Sequence, residues 1–170
     1  MATQLERRAA TRGAILQASI DAFEGGDLSA SLESIAASAG VTKGSIHYHF
    51  GSRTGLLEAV ATHTFTEIEK RIAARADVVD VATWVREVLE DQVSPRGRML
   101  FTIADELARC GSLIGVDPFP YVSLRLTEFE IAAPPPVVAA AIIQYGRQLA
   151  FGSTPPEAIG GIMADLASLL

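Results

Sequence analysis

Apolar residues at helical spacing are the feature that most constrains the fold of this 170-residue chain. They recur every three or four positions along most of the sequence, whereas the strict alternation typical of strands is almost absent. Glycines and prolines interrupt the repeat at places that suit helix ends. Apolar residues make up 49% of the chain, which is enough to form a core. The sequence therefore predicts an all-α fold with about nine helices.

The expected helices follow one another with short interruptions. Gly25 and Gly26 are expected to end the first, and a triple proline at 134–136 is expected to separate two others because proline disrupts a helix interior. The predicted helical segments are residues 4–24, 31–39, 43–49, 53–75, 81–93, 98–110, 122–131, 137–151 and 156–170.

Composition excludes several classes of protein. Cys110 is the only cysteine, so an intrachain disulfide and a cysteine-rich metal cluster are impossible, and we expect it to be a buried small residue. The longest apolar run, near residues 137–143, is shorter than a membrane-spanning helix requires, and the N-terminus has no apolar signal region. We therefore expect a cytoplasmic protein with no membrane partner, no cofactor and no metal.

The charge is distributed unevenly. The net charge of −6 argues against nucleic-acid binding by the chain as a whole. Residues 1–53, however, carry five basic and five acidic groups and are neutral, so the rest of the chain carries the entire excess. A neutral first part and an acidic second part predict different partners for the two.

Residues 31–50, SLESIAASAGVTKGSIHYHF, form the most informative segment. Ser31 and Thr42 are good N-caps for two short helices, and Gly40 between them suits a left-handed turn. This layout is that of a helix-turn-helix, whose second helix enters the major groove of DNA. The expected inner face consists of Ile35, Ala36, Val41 and Ile46, and the outer face of Thr42, Lys43, Ser45, His47, Tyr48 and His49.

This segment and its flanks resemble the DNA-binding module of the TetR (tetracycline-repressor) family of transcriptional regulators. The resemblance implies an all-α homodimer, joined through its last two helices, that represses transcription until a small ligand releases it from a pseudo-palindromic DNA operator. It implies a helix-turn-helix DNA-binding domain in residues 1–52 and a helical regulatory and dimerisation domain in residues 53–170. The residues that carry it are Ile15-Leu16 to Phe23, Gly26, Ala30-Ser31, Ile35-Ala36, Ala39 to Ile46, His49-Phe50, Arg53 and Leu56-Leu57.

The resemblance also implies a set of DNA contacts. Lys43 and Ser45 are expected to meet base edges or phosphates, and Gly44 leaves room for the backbone to approach DNA. His47 stands where the family usually has a tyrosine, and Tyr48 follows one position later. Arg7, Arg8 and Arg12 are candidate phosphate contacts near the N-terminus. The complete set of candidate DNA-binding residues is Ser31, Thr42, Lys43, Gly44, Ser45, His47, Tyr48, His49 and Arg53.

The second part of the chain is expected to bind an unknown small-molecule effector. The resemblance places a cavity among the fourth to seventh helices, whereas the simpler reading of its aromatic residues is an ordinary core. The candidate lining consists of Phe65, Ile68, Trp84, Val88, Phe101, Leu107, Phe119 and Phe129, with polar anchors at His63, Gln92, Arg109, Tyr121 and Tyr145. The candidate ligand-binding residues are His63, Trp84, Phe101, Arg109, Tyr121 and Tyr145.

The last two helices carry two apolar stripes that suit a four-helix dimer interface. The alternative is that these stripes close the core of a single chain. The first stripe consists of Val138, Ala141, Ile142, Tyr145 and Leu149, and the second of Ile159, Ile162, Met163, Leu166 and Leu170. Small residues that permit close helix approach lie at Ala140, Gly160, Gly161, Ala164 and Ala167.

Three function classes follow from these observations. The first is a homodimeric, ligand-responsive repressor that binds operator DNA through the second helix of the helix-turn-helix. The second is an all-α small-molecule-binding protein of the same scaffold with weak or lost DNA binding. The third is an enzyme, which we do not expect because the chain contains no GxGxxG, P-loop, HExxH or nucleophile-elbow motif.

Overall fold

The computed structural model describes residues 3–24, 26–73, 80–112, 118–152 and 158–170, without the side chains of 72–73 and 118–119. These ranges contain nine α-helices and no strand, which confirms the all-α prediction. No helix in the described ranges is long and apolar enough to cross a membrane. The helices are α1 (Gln4–Phe23), α2 (Leu32–Ser38), α3 (Lys43–Phe50), α4 (Arg53–Ala73), α5 (Val81–Val93), α6 (Pro95–Arg109), α7 (Pro118–Leu126), α8 (Pro135–Phe151) and α9 (Ile159–Leu166).

One compact unit comprises Met1–Thr64 and Met99–Gly115. In it α1 packs against α2, and α2 packs against α3. The apolar stripe of α1 is buried, including Ile15 and Phe23, because these residues recur on one face of the helix. The unit therefore has its own core, which fixes the three short N-terminal helices.

A second compact unit comprises Phe65–Arg98 and Val116–Leu170. In it α8 packs against α5 and α7, and α9 packs against α5 and α8. Trp84 is its largest fully buried side chain, and its ring lies 5.9 Å from that of Phe129. Helix α4 begins in the first unit and ends in the second. This division describes packing, and the functional boundary between residues 52 and 53 stays a prediction.

Prolines mark the starts of three helices, where the sequence had indicated interruptions. Helix α6 begins at Pro95 and not at residue 98, because Ser94 Oγ accepts the amide N–H of Gly97 at 3.1 Å. Helix α8 begins at Pro135, inside the triple proline. A proline in the first turn has no N–H to leave unsatisfied, so it starts a helix as readily as it breaks one.

Two further helix bounds differ from the prediction. Helix α7 covers Pro118–Leu126 and not residues 122–131. It ends there because the amides of residues 127–129 donate to carbonyls three positions earlier and form turns that do not continue the α-helix. Helix α9 ends at Leu166 and not at residue 170. The predicted start of this helix at residue 156 and the predicted stop at Gly25 lie outside the described residues.

The apolar stripes of α8 and α9 lie in the core of the second unit and are not available to a partner. Val138 and Ile142 on α8 and Leu166 on α9 are almost completely buried, and Tyr145 and Leu170 pack against the same core. The expected dimer stripes are therefore corrected to the monomer-core alternative. The opposite faces of the two helices are exposed, and they consist of Val137, Ala140, Gln144, Gln148, Phe151, Gly160, Gly161, Ala164 and Ala167.

Helices α5 and α8 approach closely at Gly146. A Cβ at this position would lie 1.5 Å from Gln92 Oε1 and 3.0 Å from Gln92 Cβ. We therefore expect Gly146→Ala to lower the free energy of unfolding by about 1–3 kcal/mol, since the half-buried Gln92 must leave its site.

Gly13→Ala is the matched control, because a Cβ at Gly13 in α1 meets nothing within 4 Å. It should raise the stability by about 0.5–1 kcal/mol through helix propensity. Urea denaturation of both variants measures the difference, and a Gly146→Ala protein as stable as Gly13→Ala would contradict the packing argument.

Candidate nucleic-acid interface

The turn between α2 and α3 has the geometry that its sequence predicts. Gly40 adopts a φ of +66°, which an L-residue rarely tolerates, and the amide of Val41 donates to the carbonyl of Ala36 at 2.9 Å. Ser31 Oγ caps α2 and Thr42 Oγ1 caps α3, each accepting an amide N–H of the first turn. The local sequence thus fixes two short helices around one tight turn.

The two faces of this motif separate as expected. Ile35, Ala36 and Ile46 are buried. Tyr48 has an exposed fraction of 68%, which is large for an aromatic residue. The outer positions Ser31, Thr42, Lys43, Gly44, His47 and Tyr48 are exposed, and Val41, Ser45, His49 and Arg53 are half-buried or close to it. The structure therefore brings most of the candidate DNA contacts together on the outer surface of α3 and its flanks.

Lys43 has an ion-pair partner that the sequence had not indicated. Its Nζ lies 2.5 Å from Oε1 of Glu33, in the first turn of α2. The hydrogen bond from Lys43 lowers the pKa of the Glu33 carboxyl below its usual value. Both side chains are exposed to solvent. The first residue of α3 is thus paired with a carboxylate in the free protein.

His47 is anchored at the end of α3. Its Nδ1 lies 3.1 Å from the carbonyl oxygen of Gly51, the C-cap residue. Because a carbonyl only accepts, Nδ1 is the donor. The ring is otherwise exposed, so its orientation is set by the helix end rather than by burial.

Two arginines of α1 lie against aromatic rings of α3. Arg8 Cζ lies 5.2 Å from the centroid of Tyr48, and Arg12 Cζ lies 5.0 Å from that of Phe50. Between them, His49 has a pKa below its usual value, mainly through burial and also through the charges of Arg8 and Arg12. Arg8 also lines a shallow groove with Arg7, Tyr48 and His49. The structure therefore adds basic residues of α1 to the surface that α3 presents.

Arg53 contacts main-chain atoms of its own unit. Its Nη1 donates to the carbonyl oxygen of Ala30 at 2.7 Å, and its Nη2 donates to that of Leu28. Its Cζ lies 5.5 Å from the ring centroid of Phe23, at the end of α1. The guanidinium thus ties the start of α4 to the loop that precedes α2. A phosphate contact by Arg53 stays a prediction, and sequence reasoning missed this packing role because its partners are 23 and 25 positions away.

Three candidate ligand residues belong to the second unit. Trp84 and Tyr121 each have a buried polar atom, the indole Nε1 and the phenol hydroxyl. Neither atom has a hydrogen-bond partner among the described residues. Burial raises the pKa of Tyr121, and the ring of Phe65 meets it edge-on at 6.2 Å. Tyr145 packs against the same core. Trp84 and Tyr121 therefore keep unused hydrogen-bonding capacity among the described residues.

The other three candidates belong to the first unit. Phe101 is buried, Arg109 pairs with Glu106, and His63 lies on a groove between α1 and α4. The side chain of Phe119, a candidate lining residue, lies outside the described residues. Cys110 is exposed and not buried, since it follows the last turn of α6.

Comparison with known proteins identifies the N-terminal segment. Residues 15–60 match the model described as bacterial regulatory proteins of the tetR family. These residues contain the end of α1, the helix-turn-helix and the start of α4. Among curated proteins, none matches the chain significantly.

Solved structures match the fold over nearly the whole chain. A TetR-family transcriptional regulator from Pectobacterium atrosepticum has a TM-score of 0.73 and 22% identity, covering 98% of this chain and 94% of that one. The multidrug binding protein EbrR, complexed with imidazole, has a TM-score of 0.71 and 19% identity, covering 97% and 90%. LfrR from Mycobacterium smegmatis, in complex with proflavine, has a TM-score of 0.64 and 25% identity, covering 96% and 98%.

The packing role of Arg53 can be tested by Arg53→Lys. Lysine keeps the charge but presents a single ammonium group, so it cannot donate to both carbonyls in the arginine geometry. We expect the free energy of unfolding to fall by about 1–2 kcal/mol, because a carbonyl of the loop loses its partner. Arg86→Lys, at an exposed position of α5, is the control and should change the stability little. Equal denaturation midpoints for the two variants would argue against the packing role.

Proposed function

We propose that the chain is a member of the TetR family, whose proteins are transcription factors and not enzymes, and that it is a homodimeric, ligand-responsive repressor of transcription. Its DNA operator is a pseudo-palindrome with half-sites about 34–36 Å apart or at a multiple of that spacing, because each protomer supplies one recognition helix. The cytoplasm is its site of action, and no cofactor takes part.

The observation that carries this proposal is the outer surface of α3. An eight-residue helix with a single buried side chain, Ile46, has little to contribute to the core of its own unit. Its exposed residues are small, polar or aromatic, which suits contact with base edges and phosphates. A surface of this composition on a capped helix-turn-helix favours DNA as the partner.

We assign the DNA contacts as follows. Lys43 and Ser45 meet base edges or phosphates, Gly44 lets the backbone approach, and Ser31 and Thr42 donate to phosphates at the two helix N-termini. The rings of His47, Tyr48 and His49 contact the DNA backbone or bases on the remaining outer surface. Arg53 acts first by positioning α2, and Arg7, Arg8 and Arg12 add phosphate contacts from α1.

The dimer interface that we propose is the exposed face of α8 and α9. Most of its residues are small or apolar, Gln144, Gln148 and the neighbouring Asp165 being polar, and Val137 and Phe151 have exposed fractions of 52% and 51%. Beyond the backbone of its own helix, a Cβ at Gly160 or Gly161 would meet no atom of the described residues within 4 Å, so their packing does not require glycine there. Glycines inside a helix lower its stability, and close approach of a partner helix would offset that cost.

The effector binds in the second part of the chain. Trp84 and Tyr121 support this assignment, because each has a buried polar atom that no other described residue satisfies and that a ligand atom would satisfy. The effector releases the protein from DNA only if it binds the DNA-free state more tightly. Helix α4 runs without interruption from one unit into the other, so it is the element through which we expect the effector to act.

One observation favours the second candidate, a ligand-binding protein with weak DNA binding. Lys43 is the only lysine or arginine in α2 and α3, and it is already paired with Glu33. A neutralised cation would contribute little to the attraction of DNA.

DNA binding is tested by fluorescence anisotropy with a duplex selected by the protein from a random pool and with a mixed-sequence duplex. We expect the selected duplex to bind more tightly, with an affinity that falls steeply as salt is added. Lys43→Ala should weaken binding by about tenfold and reduce the slope of log affinity against log salt by less than the ~0.9 per protomer of an unpaired cation, because Lys43 is also paired with Glu33.

Lys70→Ala is the matched control, because Lys70 lies on α4 and pairs with Glu67. It should leave the affinity and the slope unchanged. Failure of the wild-type protein to select any duplex would support the second candidate, whereas an unchanged Lys43→Ala affinity would refute the contact assignment alone.

The dimer interface is tested by Ala164→Glu. Ala164 is exposed in α9, so the substitution leaves the chain's own core intact, but it would bury an unpaired carboxylate in the proposed interface. A cost of about 3–5 kcal/mol predicts a dissociation constant raised more than 100-fold. Light scattering should show a monomer for Ala164→Glu and a dimer for both the wild type and Ala82→Glu, an exposed control on α5. A dimeric Ala164→Glu protein would exclude this face.

A further inference from the structure

Glu33 and Lys43 lie at the N-terminal ends of the two helices that form the helix-turn-helix. Glu33 belongs to the first turn of α2 and Lys43 is the first residue of α3, and the carboxylate and ammonium are in contact at 2.5 Å. The N-terminus of α3 carries a partial positive charge that would otherwise attract a phosphate. Glu33 therefore places a negative charge where an anion is expected to dock.

The ion pair between Glu33 and Lys43 matters because this surface has few basic groups. The first 53 residues contain five basic groups, and the guanidinium of Arg53 is engaged with carbonyls. Three of the remaining four are arginines of α1, and Lys43 is the cation that belongs to the recognition helix itself. In the DNA-free protein, the charge of Lys43 is thus neutralised by Glu33.

We infer that Glu33 limits the affinity of this protein for DNA by competing with phosphate for Lys43, and thereby sets the preference for operator over other sequences. The inference rests on the proposed function. Lys43 either stays paired and releases no counterion from DNA, or transfers to a phosphate and leaves the Glu33 carboxylate unpaired beside a polyanion. Either course weakens binding that depends on phosphates alone.

The competition affects operator and non-specific DNA unequally. Non-specific binding comes almost entirely from phosphate neutralisation, so it bears the full effect of a cancelled cation. At an operator, contacts to base edges add affinity that does not depend on the charge of Lys43. Glu33 therefore lowers non-specific affinity more than operator affinity, which raises the ratio of the two.

A purely structural role for the pair is the alternative. Ion pairs between exposed side chains contribute little to stability, and the side chain of Glu33 is 62% exposed. The fold of α2 does not depend on the carboxylate, since Ser31 supplies the N-cap. Removing the charge should consequently leave the thermal midpoint almost unchanged.

The test is Glu33→Gln in the full chain, measured by anisotropy against the mixed-sequence duplex and the selected duplex across a salt series. We expect the affinity for the mixed-sequence duplex to rise about tenfold at low salt and that for the selected duplex to rise less. The salt slope should steepen until it exceeds that of Lys43→Ala by about 0.9 per protomer, because Lys43 then displaces a full counterion and the alanine variant has no cation at this position.

Two matched variants separate the pair from a general change in charge. Asp21→Asn removes the same charge from an exposed carboxylate of α1 that accepts from Gln17 Nε2, and it should raise the affinity by less than twofold. Glu33→Gln combined with Lys43→Ala should bind no better than Lys43→Ala alone, because no cation is left to release.

The outcomes distinguish this inference from the proposed function. An affinity and slope equal to those of the wild type, a gain no larger than that of Asp21→Asn, or weaker binding by Glu33→Gln would each overturn the role of Glu33 while DNA binding stands. Absence of binding to any duplex by the wild type and by Glu33→Gln would overturn both together.

Discussion

The burial of Ile46 is the contact on which the candidate interface depends. Helix α3 has eight residues, too few to be stable alone, and Ile46 is its only buried side chain. Thr42 supplies the N-cap, and the turn at Gly40 brings Ile46 to α2. Because so little of α3 is committed to packing, nearly its whole outer surface is available to a ligand. The motif thus exchanges local stability for exposed functional side chains.

Arg53 connects the segments on either side of the helix-turn-helix. A single guanidinium joins the start of α4 to the loop before α2 and lies over the ring that ends α1. The position of Ser31, the cap of α2, is therefore set by a residue of another helix. In the second unit, by contrast, Trp84 and Tyr121 each have a buried polar atom that finds no hydrogen-bond partner in the described part of the chain. Hydrogen bonds of Arg53 support the candidate DNA interface, whereas these buried polar atoms of Trp84 and Tyr121 distinguish the candidate effector site.

Much of this could be predicted from the sequence because it is local. The caps Ser31 and Thr42 and the turn at Gly40 depend on neighbours within five positions, and they were predicted correctly. Of the predicted inner face, Ile35, Ala36 and Ile46 are buried, whereas Val41 is half-buried. The ion pair of Lys43 and the contacts of Arg53 span ten or more positions, and no periodicity encodes them. The stripes of α8 and α9 were recognised as apolar but were expected to cover a dimer interface, because a stripe does not state whether its own chain or a partner covers it.

The anchoring of His47 has a consequence for the DNA groups that its ring can contact. With Nδ1 donating to the Gly51 carbonyl, Nε2 is the ring nitrogen left for DNA, and the end of α3 fixes its direction. As an acceptor, Nε2 pairs with an N–H donor such as the exocyclic amine of adenine or cytosine, whereas a phosphate oxygen has no hydrogen to donate to it. The bond that holds the ring in place thus also determines which groups of the DNA it can read.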